Sequence, residues 1–127
     1  MEIGIKGTAK VVVSDENTAA KVGSGLLPVY STPSMIALLE MAACNCVAPY
    51  LEEGTSSVGT HLSIDHLAAT PIGMNVTATA TLTQVDGRKL VFDIEVSDEV
   101  SLIGKGTHER FIVFSEKFLA KTNAKGK

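Results

Sequence analysis

The chain is short of basic residues: eleven Lys and Arg stand against fourteen Asp and Glu, a net charge of -3 with a pI near 5.5. That shortage argues against nucleic acid as the main partner, because phosphate binding needs clustered Lys or Arg. One small basic cluster exists, Lys121, Lys125 and Lys127, but it falls in a Gly-containing tail, 121–127, that reads as a frayed terminus. Long apolar runs are missing too. No stretch approaches the roughly eighteen uncharged residues that a membrane span needs, and the start, Met1-Glu2-Ile3-Gly4-Ile5-Lys6, has no apolar core long enough for a signal peptide. Cysteine is scarce: Cys44 and Cys46 are two apart in an expected helix, so they point about 200° apart and cannot bond to each other. No metal-ligand spacing surrounds them, and a reduced, cytoplasmic protein without a metal is the economical expectation. Repeats and low-complexity segments are also absent.

What is present suits one domain. The 127 residues are 45% hydrophobic and 20% charged, enough to bury a core and too apolar for a disordered chain. From Ile3 to Val13 the text is β-branched and reads as a strand. From Ser14 to Tyr30 it turns irregular, with Gly23, Gly25 and Pro28, and reads as a mobile loop. Thr32-Pro33-Ser34 then offers an N-cap hydroxyl followed by Pro at the first helical position. The helix runs to about Ala48, where Pro49 stops it. Its apolar residues, Met35, Ile36, Leu38, Leu39, Met41, Ala42, Cys44 and Val47, cover most of the circumference, so it should be buried nearly all round. Strands follow. Val58 to Ala69 places Val58, Leu62, Ile64, His66 and Ala68 on one face, with His61 on the other. In Asn75–Thr83, Val76, Ala78, Ala80 and Leu82 face inward. Asp86-Gly87 is a hairpin turn, and Leu90, Phe92, Ile94 and Val96 continue the inward pattern. A last strand spans about Leu102–Phe114. The expected fold is α+β: one apolar helix under an antiparallel sheet that curls over it and retains edges inviting dimerisation.

Three residues stand out chemically. Glu40 is the only charged residue from Pro33 to Tyr50, and a buried carboxylate must be paired, protonated or lining a pocket. Burial would also raise its pKa towards that of a working acid or base. The bland reading puts it on a narrow exposed stripe beside Asn45. His66 sits among apolar neighbours, either as a satisfied core histidine or as a catalyst, and the pattern leaves this open. Thr32 is explained as an N-cap, yet the N-terminus of a buried helix also offers free N–H groups and a positive dipole end that polarise a carbonyl.

Longer runs carry a resemblance. These are Thr32 and Glu40 eight residues apart; Ala48-Pro49-Tyr50-Leu51-Glu52 with Gly54; Val58-Gly59-Thr60; His66 with Ala68-Ala69-Thr70-Pro71 and Gly73; Val85 with Gly87-Arg88; Gly104 with Gly106-Thr107-His108-Glu109-Arg110; and Glu116-Lys117-Phe118. In these the chain resembles the hot-dog thioesterases related to fluoroacetyl-CoA thioesterase, over most of the sequence after about Val29. The resemblance implies a hot-dog fold over residues 1–127 as a single domain, and a catalytic trio of Thr32, Glu40 and His66. It further implies a substrate-binding Gly59 whose backbone approaches the thioester, with Thr60 beside it, and an Arg110 near the substrate. It implies an acyl-CoA substrate, no other cofactor, and a homodimer, with a dimer of dimers left open. It departs upstream: the fluoroacetyl-specific enzyme has phenylalanines forming a lid before the helix, whereas Val22-Gly23-Ser24-Gly25-Leu26-Leu27-Pro28 has no aromatic before Tyr30. Fluoroacetyl specificity is therefore not implied.

One geometric problem is visible in advance. Eight residues of continuous helix span roughly 12 Å, too far for Thr32 and Glu40 to meet at one carbonyl. Either the helix starts later than Thr32-Pro33 suggests, with Ser34 or a neighbour as its cap, or two subunits share the site. The expected reaction is hydrolysis of an acyl-CoA to acid and CoA, with Glu40 as nucleophile or base, His66 moving protons and Thr32 orienting. The rivals are a non-catalytic acyl-CoA-binding module and, on the same fold, an acyl-CoA hydratase. A thiol nucleophile at Cys44 or Cys46 is disfavoured by their apolar helical setting.

Overall fold

The computed structural model describes residues 1–126. Five strands form one antiparallel sheet: β1 (Lys6–Val12), β2 (Thr55–His66), β3 (Asn75–Asp86), β4 (Lys89–Ser97) and β5 (Leu102–Phe114), in the spatial order β1-β3-β4-β5-β2. Helix α1 (Ala19–Val22) is a single turn, α2 (Thr32–Val47) lies against the sheet, and α3 (Ser115–Asn123) follows β5. This is the α+β hot-dog layout that the residues and the resemblance implied.

Period-two patterning builds the core. Val76, Ala78, Ala80 and Leu82 of β3 and Leu90, Phe92 and Val96 of β4 are wholly buried, and Ile94 nearly so. Each large apolar side chain moved from water contributes about 1.5–3 kcal/mol. They pack under Met35, Leu38, Leu39, Ala42, Ala43, Cys46 and Val47 of α2. The helix rests directly on β1, and Gly7 permits it: a Cβ there would run into the backbone of Ala42 and Cys46. Asn45 Nδ2 donates to the Thr8 carbonyl at 2.9 Å and Cys46 Sγ to that of Ile5 at 3.4 Å, which sets the helix's position along the strand. Both cysteines are free thiols.

Several expectations are corrected. Ser31, not Thr32, is the N-cap of α2: its hydroxyl accepts from the Ser34 N–H, and Thr32 is the first helical residue with Pro33 after it. The helix is unbroken from Thr32 to Val47, which excludes the later start at Ser34. Nor is α2 enclosed by its own chain. Met41 is 57% exposed and Ala37, Asn45 and Ala48 are also exposed, because a single sheet covers only one side of a helix. The segment after Ser14 is not irregular throughout. It holds a 3₁₀ turn (Asp15–Asn17) and α1, tied down by bridges Thr18–Tyr30 and Val29–Pro71. Lys121 and Lys125, expected in a frayed tail, lie in α3 and in the 3₁₀ turn Ala124–Gly126, as the run of good helix formers from Glu116 to Lys121 favours. Lys127 lies outside the described residues.

The most consequential correction concerns β2. Its ladder begins at Thr55, earlier than Val58, and ends at His66 rather than Ala69. Gly59 pairs with Arg110 while His61 pairs with Glu109, so Thr60 is an extra residue in a β-bulge. A bulge reverses parity. Val58, opposite Phe111, therefore faces away from Leu62, Ile64 and His66, and Gly59 turns inward with them. His61 and His66 remain on opposite faces.

Candidate active site

Two clusters of polar side chains lie on the inner side of the sheet, one at each end of a stretch of α2. The first joins the start of α2 to the end of β2. Thr32 Oγ1 and His66 Nδ1 are 2.8 Å apart. The opposite ring nitrogen, Nε2, is buried with no protein partner. Burial lowers the His66 pKa below the ordinary histidine value, so the ring is held neutral and available as a base. Both residues open onto a cavity of about 380 Å³, whose remaining wall includes Val29, Tyr30, Leu67 and Ala68. Tyr30 is buried, its phenol pushed up to about 12 by desolvation and its hydroxyl unpartnered.

The helix terminus contributes as well. In the first turn of α2 the Ser34 N–H is capped by Ser31, the Met35 N–H bonds the Ser31 carbonyl and Pro33 has no N–H. The Thr32 amide remains, without a partner among the described residues, at the positive end of a sixteen-residue helix.

The second cluster gathers around Glu40. Its Oε2 lies 3.4 Å from Arg110 Nη1 and 4.0 Å from His108 Nε2. Among the described residues every polar contact of Glu40 goes to Oε2, leaving Oε1 free. Arg110, only 5% exposed, is anchored by Nε donating to Ser57 Oγ and Nη2 to the Ser57 carbonyl, both at 2.8 Å. His108 is wholly buried and stacks on Phe92 with ring centroids 6.1 Å apart. Its Nδ1 is 2.8 Å from the His61 carbonyl, which only accepts, so Nδ1 carries the proton and Nε2 accepts from Arg110 Nη1 at 3.2 Å. Burial, reinforced by the Arg110 charge, lowers the His108 pKa and keeps this neutral tautomer. Gly59 completes the group. A Cβ on it would collide with Glu40 Oε2 and press His108 Cε1 at 3.2 Å.

Of the residues singled out in sequence, Thr32 and His66 are therefore brought together, and Glu40, Gly59 and Arg110 are brought together elsewhere. Glu40 is neither fully buried nor alone: its side chain is 36% exposed and ion-paired to Arg110. Thr60 sits at the bulge, exposed, with its hydroxyl on the Glu109 carbonyl. Among the described residues its side chain makes no hydrogen bond to either cluster. Arg110 is held by protein groups on β2 and α2 and acts on Glu40. His108 and Ser57 were not singled out. A parity argument finds His108, because a His and an Arg two apart at inward positions of one strand cannot both be apolar packing. Among the described residues no three His, Cys, Asp or Glu side chains converge as a metal site. Among the described residues no helix is long and apolar enough to cross a membrane.

Comparison with known proteins places this geometry in context. Residues 13–116 match the family model of fluoroacetyl-CoA-specific thioesterases. The fluoroacetyl-CoA thioesterase of Streptantibioticus cattleyicolor is 46% identical over 97 residues, 76% of this chain and 70% of that protein. A structure of a fluoroacetyl-CoA thioesterase variant in complex with acetyl-CoA superposes with a TM-score of 0.95 at 38% identity, covering 100% of both chains. A thioesterase superfamily member from Thermus thermophilus gives 0.89 at 30% identity, covering 97% of this chain and 91% of the other.

Proposed function

Since the chain belongs to the fluoroacetyl-CoA-specific thioesterase family and is a thioester hydrolase, we propose that it cleaves acyl-CoA to carboxylic acid and free CoA at sites shared between two copies. The observation that carries this is the separation along α2. Thr32 and Glu40 stand eight residues apart on an unbroken helix, roughly 12 Å. No motion of side chains within one chain closes that gap.

A second copy closes it. The uncovered side of α2 carries the apolar Ala37 and Met41, with Asn45 its polar member and Ala48 just past the helix, and among the described residues the outer edge of β2 is unpaired. Both features favour self-association about a two-fold axis. In such a homodimer Glu40 of one copy faces Thr32 and His66 of the other. The thioester oxygen is held by the Thr32 N–H, where the helix dipole stabilises the developing oxyanion. Glu40, steadied through Oε2 by Arg110, uses its free Oε1 either to attack the carbonyl carbon or to take a proton from the attacking water. The carbon–sulfur bond then breaks and CoA leaves as its thiolate. The proton it takes up comes from water, through Glu40 in the base route or, in the anhydride route, from the water that neutral His66 activates at Nε2 to open the anhydride, and His66 Nε2 relays it to the sulfur. Thr32 Oγ1 fixes the His66 ring through Nδ1.

Fluoroacetyl selectivity is not carried over. The wall contributed by the segment before α2 is Val29 and small residues, without an aromatic side chain before Tyr30. A panel of acyl-CoA thioesters ranks the accepted acyl groups. Subunit mixing tests the shared site. Glu40→Ala and His66→Ala homodimers should each be nearly inactive. Re-associated together, they should regain about a quarter of wild-type activity, since half the dimers are mixed and each carries one intact site. Mixed dimers that form without regaining activity would refute sharing, and Glu40→Ala hydrolysing the panel at near wild-type rates would refute the role of Glu40.

A further inference from the structure

A groove at one end of the sheet is not used by any of the chemistry above. It lies between α3 and the β3–β4 turn, about 430 Å³ in volume, and is lined by Arg88, Val113, Phe114, Lys117, Phe118 and Lys121. Its charge is one-sided. In a chain of net charge -3 it presents three cations and no carboxylate. Among the described residues none of the three has an acidic partner within ion-pairing distance; the Lys–Glu pair nearby joins Lys89 to Glu109. Helix α3 sorts its charges to make this so. Lys117 and Lys121, four apart, share the groove with Phe118, while Glu116 lines an adjoining depression with Glu53, which Phe114 and Lys117 also border.

The groove is also aromatic and partly preformed. The Arg88 guanidinium stacks 5.3 Å from the Phe111 ring centre and 5.9 Å from that of Phe114, which fixes its plane and leaves its N–H edge free. Phe114 and Phe118 are 55% and 40% exposed, unusually large apolar surfaces beside three unpaired cations. Stacking surface together with unpaired Arg and Lys is what a phosphorylated nucleotide requires.

Position supplies the last step. Gly59, in contact with Glu40, pairs with Arg110, and Thr55 pairs with Phe114 at the mouth of the groove. Four residues of strand separate these pairs, roughly 13 Å. The arm of CoA between its sulfur and its first phosphorus has about thirteen bonds and extends roughly 16 Å. We propose that this groove binds the adenosine 3′-phosphate 5′-diphosphate head of CoA, its phosphates on Arg88, Lys117 and Lys121 and its adenine against Phe118. The inference rests on the thioester reading of the site, since that reading supplies CoA as the ligand.

Two measurements separate the two claims. Calorimetry compares CoA with pantetheine, which lacks the nucleotide, on wild type and on the Lys117→Gln/Lys121→Gln double variant. Both positions are exposed, so the variant folds. CoA should bind wild type at least roughly tenfold more tightly than pantetheine, and the double variant should lose most of that advantage. Adenosine 3′,5′-bisphosphate should compete with CoA on wild type only. Steady-state kinetics with butyryl-CoA and butyryl-pantetheine should show the same collapse in the ratio of kcat/KM. Equal binding of CoA and pantetheine by wild type, or an undiminished preference in the variant, would overturn the groove whatever the activity. Nucleotide-dependent CoA binding without hydrolysis of any thioester would uphold the groove and overturn the reaction.

Discussion

Replacing Gly59 by alanine adds one methyl group and should separate activity from stability. The new Cβ would collide with Glu40 Oε2 and stand 3.2 Å from His108 Cε1 and 3.4 Å from Arg110 Nη1. Two of these neighbours cannot yield. His108 is fully buried under Phe92, and Arg110 is fastened to Ser57 through two 2.8 Å hydrogen bonds. Glu40 is the far end of a flexible side chain, 36% exposed, so it moves. Swinging a partly exposed carboxylate away from its ion pair costs about 1 kcal/mol or less, and slight overpacking adds roughly 1 kcal/mol. The melting temperature should therefore fall by no more than about 10 °C. The catalytic effect should be much larger, because a reacting group displaced by about 1 Å loses on the order of a hundredfold in rate. The assay is kcat/KM on an acyl-CoA panel beside thermal melts. Gly59→Ala/Glu40→Ala should be no slower than Glu40→Ala alone, since both changes remove the same carboxylate. Near-wild-type activity in Gly59→Ala would refute the claim that this glycine positions Glu40. A loss in the double variant equal to the product of the two single losses would show that Gly59 acts through some other group.

The pH dependence follows from two histidines, His66, half-buried, and His108, wholly buried. Both have pKa values lowered from 6.5 by burial, so the unfolded chain takes up protons first as the solution is acidified. Their contribution to stability is complete above about pH 6.5 and is lost as the pH falls through the lowered folded values. Melting temperatures should decline from about pH 7 to about pH 5, and His108→Gln should flatten that decline; a profile equally steep in the variant would show that other groups carry it. The acid limb of kcat/KM should fall below the ordinary histidine range and shift no further in His108→Gln, because His66 sets it. At Gly7 the obstruction is backbone, so Gly7→Ala should cost about 3 kcal/mol or more, read by denaturant unfolding; a fully stable variant would mean that α2 can lift off β1. Arg110→Lys keeps the charge but cannot serve Glu40, His108 and both Ser57 oxygens at once. It should lower kcat by at least roughly tenfold, and unchanged kcat would show that Glu40 needs no anchoring.

How far the chain could be read without its structure divides along physical lines. β3 and β4 were legible because Val76 to Leu82 and Leu90 to Val96 alternate without interruption and one buried face dictates the register. The apolar length of α2 was legible for the same reason, but its enclosure was not, since periodicity records which residues avoid water and not which molecule covers them. Met41 and Ala37 are as apolar as the residues beneath the sheet, yet they face outward. The bulge at Thr60 left no mark in the sequence. It is decided by the pairing of β2 with β5, and it reversed the face assigned to Val58 while bringing Gly59 under Glu40. Glu40 announced itself by being the one charge in an apolar helix, but its partners Arg110 and His108 lie seventy and sixty-eight positions along the chain. Only the strand order that sets β5 beside β2 makes them neighbours. The same reasoning explains why Thr32 and His66 could be singled out yet not joined to Glu40. Spacing on one helix measures a distance within one chain, and on α2 that distance is the argument for a second copy.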